Sequence, residues 1–193
     1  VNDLRGDSAL MTDFYDRPEW LHEALEKVTE VEIAFARAQI EAGAGIVGLG
    51  DAIASTISPK MYREFALPYE QRIFAAVRDM GAVARLHICG NTSRIVDDMI
   101  ARSGASIVDL DWMVDFGQAS RAASAAGISI CGNFDPVQVM LLGTPEDVYR
   151  PPWANLTDGG PRCISAAGCE IPAGTPPENL HAQNRALRDF GSG

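Results

Sequence analysis

Ala82-Val83-Ala84-Arg85-Leu86-His87-Ile88-Cys89-Gly90 is an apolar run that ends in two soft donors, an imidazole and a thiol. A near-continuous apolar run of this length reads as a strand buried on both faces, as in a parallel sheet covered by helices. If it is a strand, His87 and Cys89 point to the same side, because strand side chains alternate with period two. Helical patterns flank it. Ser58-Pro59 opens one on the N-terminal side, Tyr62, Phe65, Tyr69, Ile73 and Val77 form its stripe, and Gly81 ends it. A second is expected over 92–103.

Working outward, the same alternation repeats. Upstream, Asp16-Arg17-Pro18-Glu19 predicts a helix start with Asp16 as N-cap and Glu19 closing a capping box. Leu21, Leu25, Val28, Phe35 and Ile40 continue that helix to Gly43, and Ile46 to Asp51 is a short apolar strand. Downstream, strands are expected over 106–112, 128–134 and 163–169, with helices over 115–126, 136–142 and 176–189. Thr144-Pro145-Glu146-Asp147 caps another short helix, and 150–161 reads as a Pro- and Gly-rich connection. Polar residues collect where strands end: Asp51, His87 with Cys89, Asp111, Asn133 with Asp135, and Cys169 with Glu170. In a (β/α)8 barrel the strand C-termini all meet on one face, where the active site is built, whereas a doubly wound sheet spreads them along a crevice. The expected fold is therefore α/β, a TIM barrel. Five β/α units fall short of the eight a barrel needs, so residues 1–193 are expected to be the C-terminal portion of one barrel domain. Either the sequence is a piece of a longer chain or a partner completes the wall.

Composition bounds the function. The chain has 193 residues, 47% hydrophobic, with mean hydropathy near zero. Sixteen basic against 26 acidic residues give a net charge of −10, which argues against nucleic acid or an anionic membrane as partner. No apolar stretch approaches the roughly 18 residues of a membrane span. Four cysteines at strand ends suit a reducing, cytoplasmic setting rather than a disulfide scaffold. Gly191-Ser192-Gly193 reads as a frayed tail.

One imidazole and two thiolates, from His87, Cys89 and Cys169, offer zinc three protein ligands and one open position, the pattern of a catalytic site. The competing reading is a packed core pair, since free cysteine is among the most buried residue types. Asp51 follows Gly48-Leu49-Gly50 and is either an acid/base or substrate-binding group or a helix cap; Asp111 and Asp135 share that ambiguity, and Asp109 is a weaker candidate. Cys131 lies on a strand one layer deeper, where packing is favoured, and Cys163 has no assigned role. Gly43-Ala44-Gly45-Ile46-Val47-Gly48 spells a dinucleotide-binding pattern, but it leaves a helix for a strand, the reverse of the required context. Asn91-Thr92-Ser93 and Asn155-Leu156-Thr157 fit a glycosylation sequon with no other sign of secretion.

Several ordered segments resemble the uroporphyrinogen decarboxylase superfamily: Gly50-Asp51 before Ile57-Ser58-Pro59, Phe65-Ala66-Leu67-Pro68-Tyr69, and Leu86-His87-Ile88-Cys89-Gly90-Asn91. Asp109-Leu110-Asp111-Trp112, Gly132-Asn133-Phe134-Asp135-Pro136, Gly168-Cys169-Glu170-Ile171-Pro172 and Thr175-Pro176-Pro177-Glu178-Asn179-Leu180 continue it. The resemblance implies a TIM-barrel fold of that type, with this chain covering about the last five units. It also implies two functional branches. Decarboxylases use no metal and bind an acidic tetrapyrrole through residues largely of the N-terminal part. Cobamide-dependent methyltransferases carry His-x-Cys and a distant Cys as zinc ligands, which His87, Cys89 and Cys169 match by type, order and position. That branch implies transfer of a methyl group from a methylated corrinoid, carried by a partner protein, to a small-molecule thiol or similar acceptor. Asp51 or Asp111 would accept the proton or orient the substrate, and a homodimer is compatible with the resemblance. The alternatives are a metal-free decarboxylase and a non-catalytic barrel fragment.

Overall fold

A computed structural model describes residues 1–192; Gly193, the last residue of the expected tail, lies outside the described residues. Five strands form one sheet in the order β1 (Ile46–Gly50), β2 (Val83–Ile88), β3 (Ile107–Leu110), β4 (Ser129–Phe134) and β5 (Cys163–Ala167). Every neighbouring pair is parallel. A doubly wound sheet reverses its strand order at a switch point; this order never reverses, so the sheet is singly wound, as a barrel wall is.

Helices separate the strands. Before β1 lie α1 (Asn2–Arg5), α2 (Asp7–Asp16) and α3 (Pro18–Glu41). Between β1 and β2 are a 3-10 turn (Ala52–Thr56), α4 (Pro59–Phe65) and α5 (Leu67–Asp79). Next come α6 (Val96–Arg102), α7 (Phe116–Ala126), a π-helical segment (Pro136–Leu141), α8 (Pro145–Gly159) and α9 (Pro177–Phe190). No helix among the described residues is long and apolar enough to cross a membrane.

Period-two burial sorts the two faces of β2. Ala84, Leu86 and Ile88 are fully buried, while Arg85 and His87 between them keep some exposure on the other face. The first set packs with Val108, Leu110 and Ile130 of the next strands and with Tyr62, Phe74, Val77 and Met99 of the helices. Burying each of the larger aliphatic and phenylalanine side chains among them stabilises the fold by about 1.5–3 kcal/mol. The core thus sits between sheet and helices, and the opposite face is left to polar groups.

Three local expectations are corrected. Asp16 is not the N-cap of the long helix; it is the last residue of α2, and Arg17 takes the cap position without a side-chain bond. The residue before a proline is pushed out of the helical region, and Arg17, at φ −143°, breaks the path at Pro18. The helix expected from Ser58 to Gly81 is two helices, divided at Ala66, because Pro68 has no N–H to continue the first. Ser58 does cap α4, its Oγ accepting from the Met61 amide at 3.2 Å. Residues 150–161 are not a connection: α8 runs on through Pro151 and Pro152 to Gly159. Its buried face of Val148, Pro152 and Asn155 supplies in packing what the prolines remove in hydrogen bonds.

Candidate metal centre

His87 sits near the end of β2, Cys89 just beyond it, and Cys169 two residues past β5. Two strands lie between β2 and β5. In a flat sheet, strands about 4.8 Å apart would hold the ends of β2 and β5 about 14 Å from each other. The Cys89 and Cys169 sulfurs are 3.4 Å apart. Curvature of the wall and the path after β5 close that gap. Gly168 lies against the Asp111–Trp112 backbone, where a Cβ would collide with the Trp112 nitrogen. Its own amide donates to the Phe134 carbonyl at 2.9 Å. Only glycine allows the chain to cross β4 so closely and deliver Cys169 beside Cys89.

The three donor atoms lie within 4.8 Å of one another, and among the described residues no other group of three or more His, Cys, Asp or Glu is gathered this way. His87 Nε2 is 3.0 Å from Cys89 Sγ. A tetrahedral zinc with bonds of about 2.3 Å to sulfur and 2.0 Å to nitrogen places such donors roughly 3.5–3.8 Å apart. The two pairs that include Cys89 therefore fit zinc after opening by a few tenths of an ångström. All four cysteines are free thiols.

The electrostatics favour one thiolate and a fixed ring. With Nε2 toward the sulfurs, His87 Nδ1 faces Asp109 Oδ2 at 3.6 Å. Asp109 is buried and also receives Arg85 Nε at 2.8 Å. Asp109 raises the His87 pKa above its ordinary value, against the opposing effect of burial. For Asp109 itself burial works upward, but His87 and Arg85 outweigh it and hold the carboxyl below its usual range. Burial pushes the Cys89 thiol up to about 11. Burial also opposes ionisation of Cys169, yet hydrogen bonds from Cys89 and His87 win and lower it. Carboxylate-held histidines of this kind fix ring orientation and tautomer at metal sites.

The other expected residues divide. Asp51 follows β1, its amide donating to the His87 carbonyl at 3.0 Å, and it shares a cavity with His87 and Cys89. Burial raises its carboxyl to about 6. Asp111 is tied into the backbone: Oδ2 accepts from the Gly90 amide at 2.8 Å and Oδ1 faces the Met113 amide at 3.4 Å. It thereby anchors the turn after Cys89. Asn133 holds the end of β3, donating to the carbonyls of Asp111 and Val114. Asp135 is a helix cap, accepting from Val137 and Gln138. Cys131 is buried one layer deeper beside Asp109, and Cys163 donates to the Asn155 carbonyl.

One acid escaped the sequence reading. Glu70 on α5 is 2% exposed; Oε2 accepts from Tyr62 Oη at 2.6 Å, and Oε1 has no partner. Burial, reinforced by the neighbouring Asp51, raises its carboxyl to about 8. A signal was present: Glu70 stands three before Ile73 and seven before Val77, so an acid falls on the apolar stripe.

Comparison with known proteins bears on the family and the fold. The family described as Uroporphyrinogen decarboxylase (URO-D) matches residues 3–190. Methylcobamide:CoM methyltransferase MtbA of Methanosarcina mazei is 33% identical over 168 residues, covering 86% of this chain and 48% of that protein. The uroporphyrinogen decarboxylase of Nocardia farcinica is 38% identical over 134 residues, 69% of this chain and 36% of that protein. A solved methyltransferase from Methanosarcina mazei superposes with a TM-score of 0.90 at 27% identity, over 98% of this chain and 55% of the other. The chain spans about half the length of the curated relatives it matches.

Proposed function

Since the chain belongs to the uroporphyrinogen decarboxylase family, we propose that residues 1–193 are the C-terminal portion of one barrel domain that moves a methyl group from a methylated corrinoid to a thiol acceptor. His87, Cys89 and Cys169 would hold zinc. The observation that carries this reading is the convergence of three soft donors from two non-adjacent strands, with one side left open to a cavity. Zinc bound there would supply a Lewis acid that keeps a coordinated thiol deprotonated at neutral pH, where a free thiol with pKa near 8.5 is mostly protonated.

The chain's own residues do the rest. Asp109, braced by Arg85, holds His87 with Nε2 forward. Cys169, the more acidic of the two thiols, enters as thiolate, and Cys89 follows on loading. Two thiolates and a neutral imidazole cancel the charge of a divalent ion, so an acceptor sulfur keeps its nucleophilicity. Asp111 fixes the Gly90 turn and with it the Cys89 sulfur. Asp51, which lines the same cavity, takes the acceptor's proton. The methyl donor is read as a corrinoid on a partner protein docking over the strand C-termini, and the thiols suit the cytoplasm.

The test is methyl transfer from a methylcobamide to a small thiol by the purified protein. Transfer is expected, and its loss in Cys169→Ala. The decarboxylase reading draws on relatives of that name at similar identity. It gains ground if the protein decarboxylates a porphyrinogen and leaves thiols unmethylated.

A further inference from the structure

The Cys89 and Cys169 sulfurs are 3.4 Å apart, closer than the roughly 3.7 Å at which a tetrahedral zinc holds two thiolates. A disulfide bond is about 2.05 Å long, so a closure of about 1.4 Å from the observed 3.4 Å joins them. Neither cysteine lies within a strand: β2 ends at Ile88 and β5 at Ala167, so the movement breaks no hydrogen bond inside either strand. Both side chains are partly exposed and open to a small oxidant. The other two thiols are placed differently. Cys131 is 2% exposed, and Cys163 donates to the Asn155 carbonyl at 3.3 Å. Contact and access therefore coincide at Cys89 and Cys169.

We propose that Cys89 and Cys169 are an oxidation site: in the metal-free protein a peroxide joins them in a disulfide, which closes the centre to zinc until a dithiol reduces it. The exclusion of zinc rests on the zinc reading above; the disulfide does not. One cysteine sulfur attacks a peroxide oxygen, the O–O bond breaks, and the departing hydroxide takes up the thiol proton as water. The second sulfur then attacks the resulting sulfenic acid; the S–S bond forms, the S–O bond breaks, and a second water leaves. Two thiols give up two electrons and two protons, and one peroxide becomes two waters. Because the second thiol already touches the first, this step outruns further oxidation to sulfinic acid. Ligation by cysteine requires thiolate, so the disulfide leaves His87 as the one donor of the three. A dithiol restores both thiols by exchange and departs as its own disulfide. Bound zinc engages both sulfurs and shields them from the oxidant.

The test treats reduced, metal-free protein with a slight excess of hydrogen peroxide and reads intact mass, thiol titration and a tryptic map. The four thiols are expected to fall to two, with loss of two hydrogens and no added oxygen. The peptide 86–94 is expected to be linked to 163–185, with fragmentation placing the bond on Cys169 rather than Cys163. Zinc-loaded protein is expected to lose these thiols at least tenfold more slowly. Oxidised protein is expected to take up no zinc until dithiothreitol restores it to one per chain. Four thiols persisting, added oxygen without the link, or a link between other cysteines overturns the proposal. So does equal oxidation with zinc bound, or full zinc uptake by the linked protein. Failure of the link leaves the zinc reading standing. Failure of the reduced protein to bind zinc contradicts that reading, and the peptide map still decides the disulfide.

Discussion

Replacing Glu70 by glutamine should stabilise the protein at neutral and alkaline pH. The Glu70 carboxyl is raised from 4.5 to about 8, by burial first and by Asp51 second, while the Tyr62 hydroxyl acts in the opposite direction. The folded protein therefore keeps this proton to about pH 8, whereas the unfolded chain releases it near 4.5. The folded state binds more protons across that window, so stability falls as pH rises through it. At about 1.4 kcal/mol per pH unit, wild type should lose roughly 3–4 kcal/mol between pH 5 and pH 8 from this group. A glutamine at this position cannot ionise and retains an oxygen for Tyr62, so the variant lacks that loss. For a chain of this size, about 2–4 °C per kcal/mol puts the midpoint of Glu70→Gln on the order of 10 °C above wild type at pH 8, with a small gap at pH 5. Thermal unfolding by circular dichroism from pH 5 to 8.5 measures it. Parallel midpoint curves, or a variant less stable at pH 8, would refute the reasoning.

Asp109→Asn should weaken zinc binding about 10–100-fold, the usual effect of removing a carboxylate behind a histidine ligand; competition with a chromophoric chelator measures this, and unchanged affinity contradicts the role given to Asp109. The Asp109 carboxyl lies below its ordinary 3.8, so its stabilising contribution is present above that value and fades as pH falls through the lower, folded pKa; acid titrations of wild type and Asp109→Asn should converge there. Gly168→Ala, whose Cβ would strike the Trp112 nitrogen, should cost at least tenfold in zinc affinity with all three ligands present. Leu86→Ala should destabilise by about 2–5 kcal/mol in urea unfolding, since Leu86 is fully buried on an interior strand of the sheet.

The strands and their order were legible because each is an apolar run with chemistry at its C-terminal end. Parallel strands buried on both faces leave no other pattern, and His87, Cys89 and Cys169 stood out as polar interruptions of such runs. What misled was local. Pro151 and Pro152 signal a break, but whether a helix survives them depends on what α9 and β5 pack against it. Asp16 resembles a cap because α2, which absorbs it, has no strong apolar stripe of its own. Glu70 was overlooked since its neighbours Gln71 and Arg72 are polar, and its burial depends on α3 and α4 packing against α5. Asp109 was ranked below Asp111 by sequence position. Register reversed their roles: Asp109 lies directly opposite His87 across β2 and β3, and Asp111 is occupied by backbone amides.

Zinc content of the purified protein bears most directly on the central claim. Plasma emission spectrometry should find one zinc per chain in wild type and none in Cys169→Ala, with thiol methylation lost on chelation and restored by zinc. Full thiol methylation by metal-free protein, or zinc retained at one per chain in Cys169→Ala, would contradict the account.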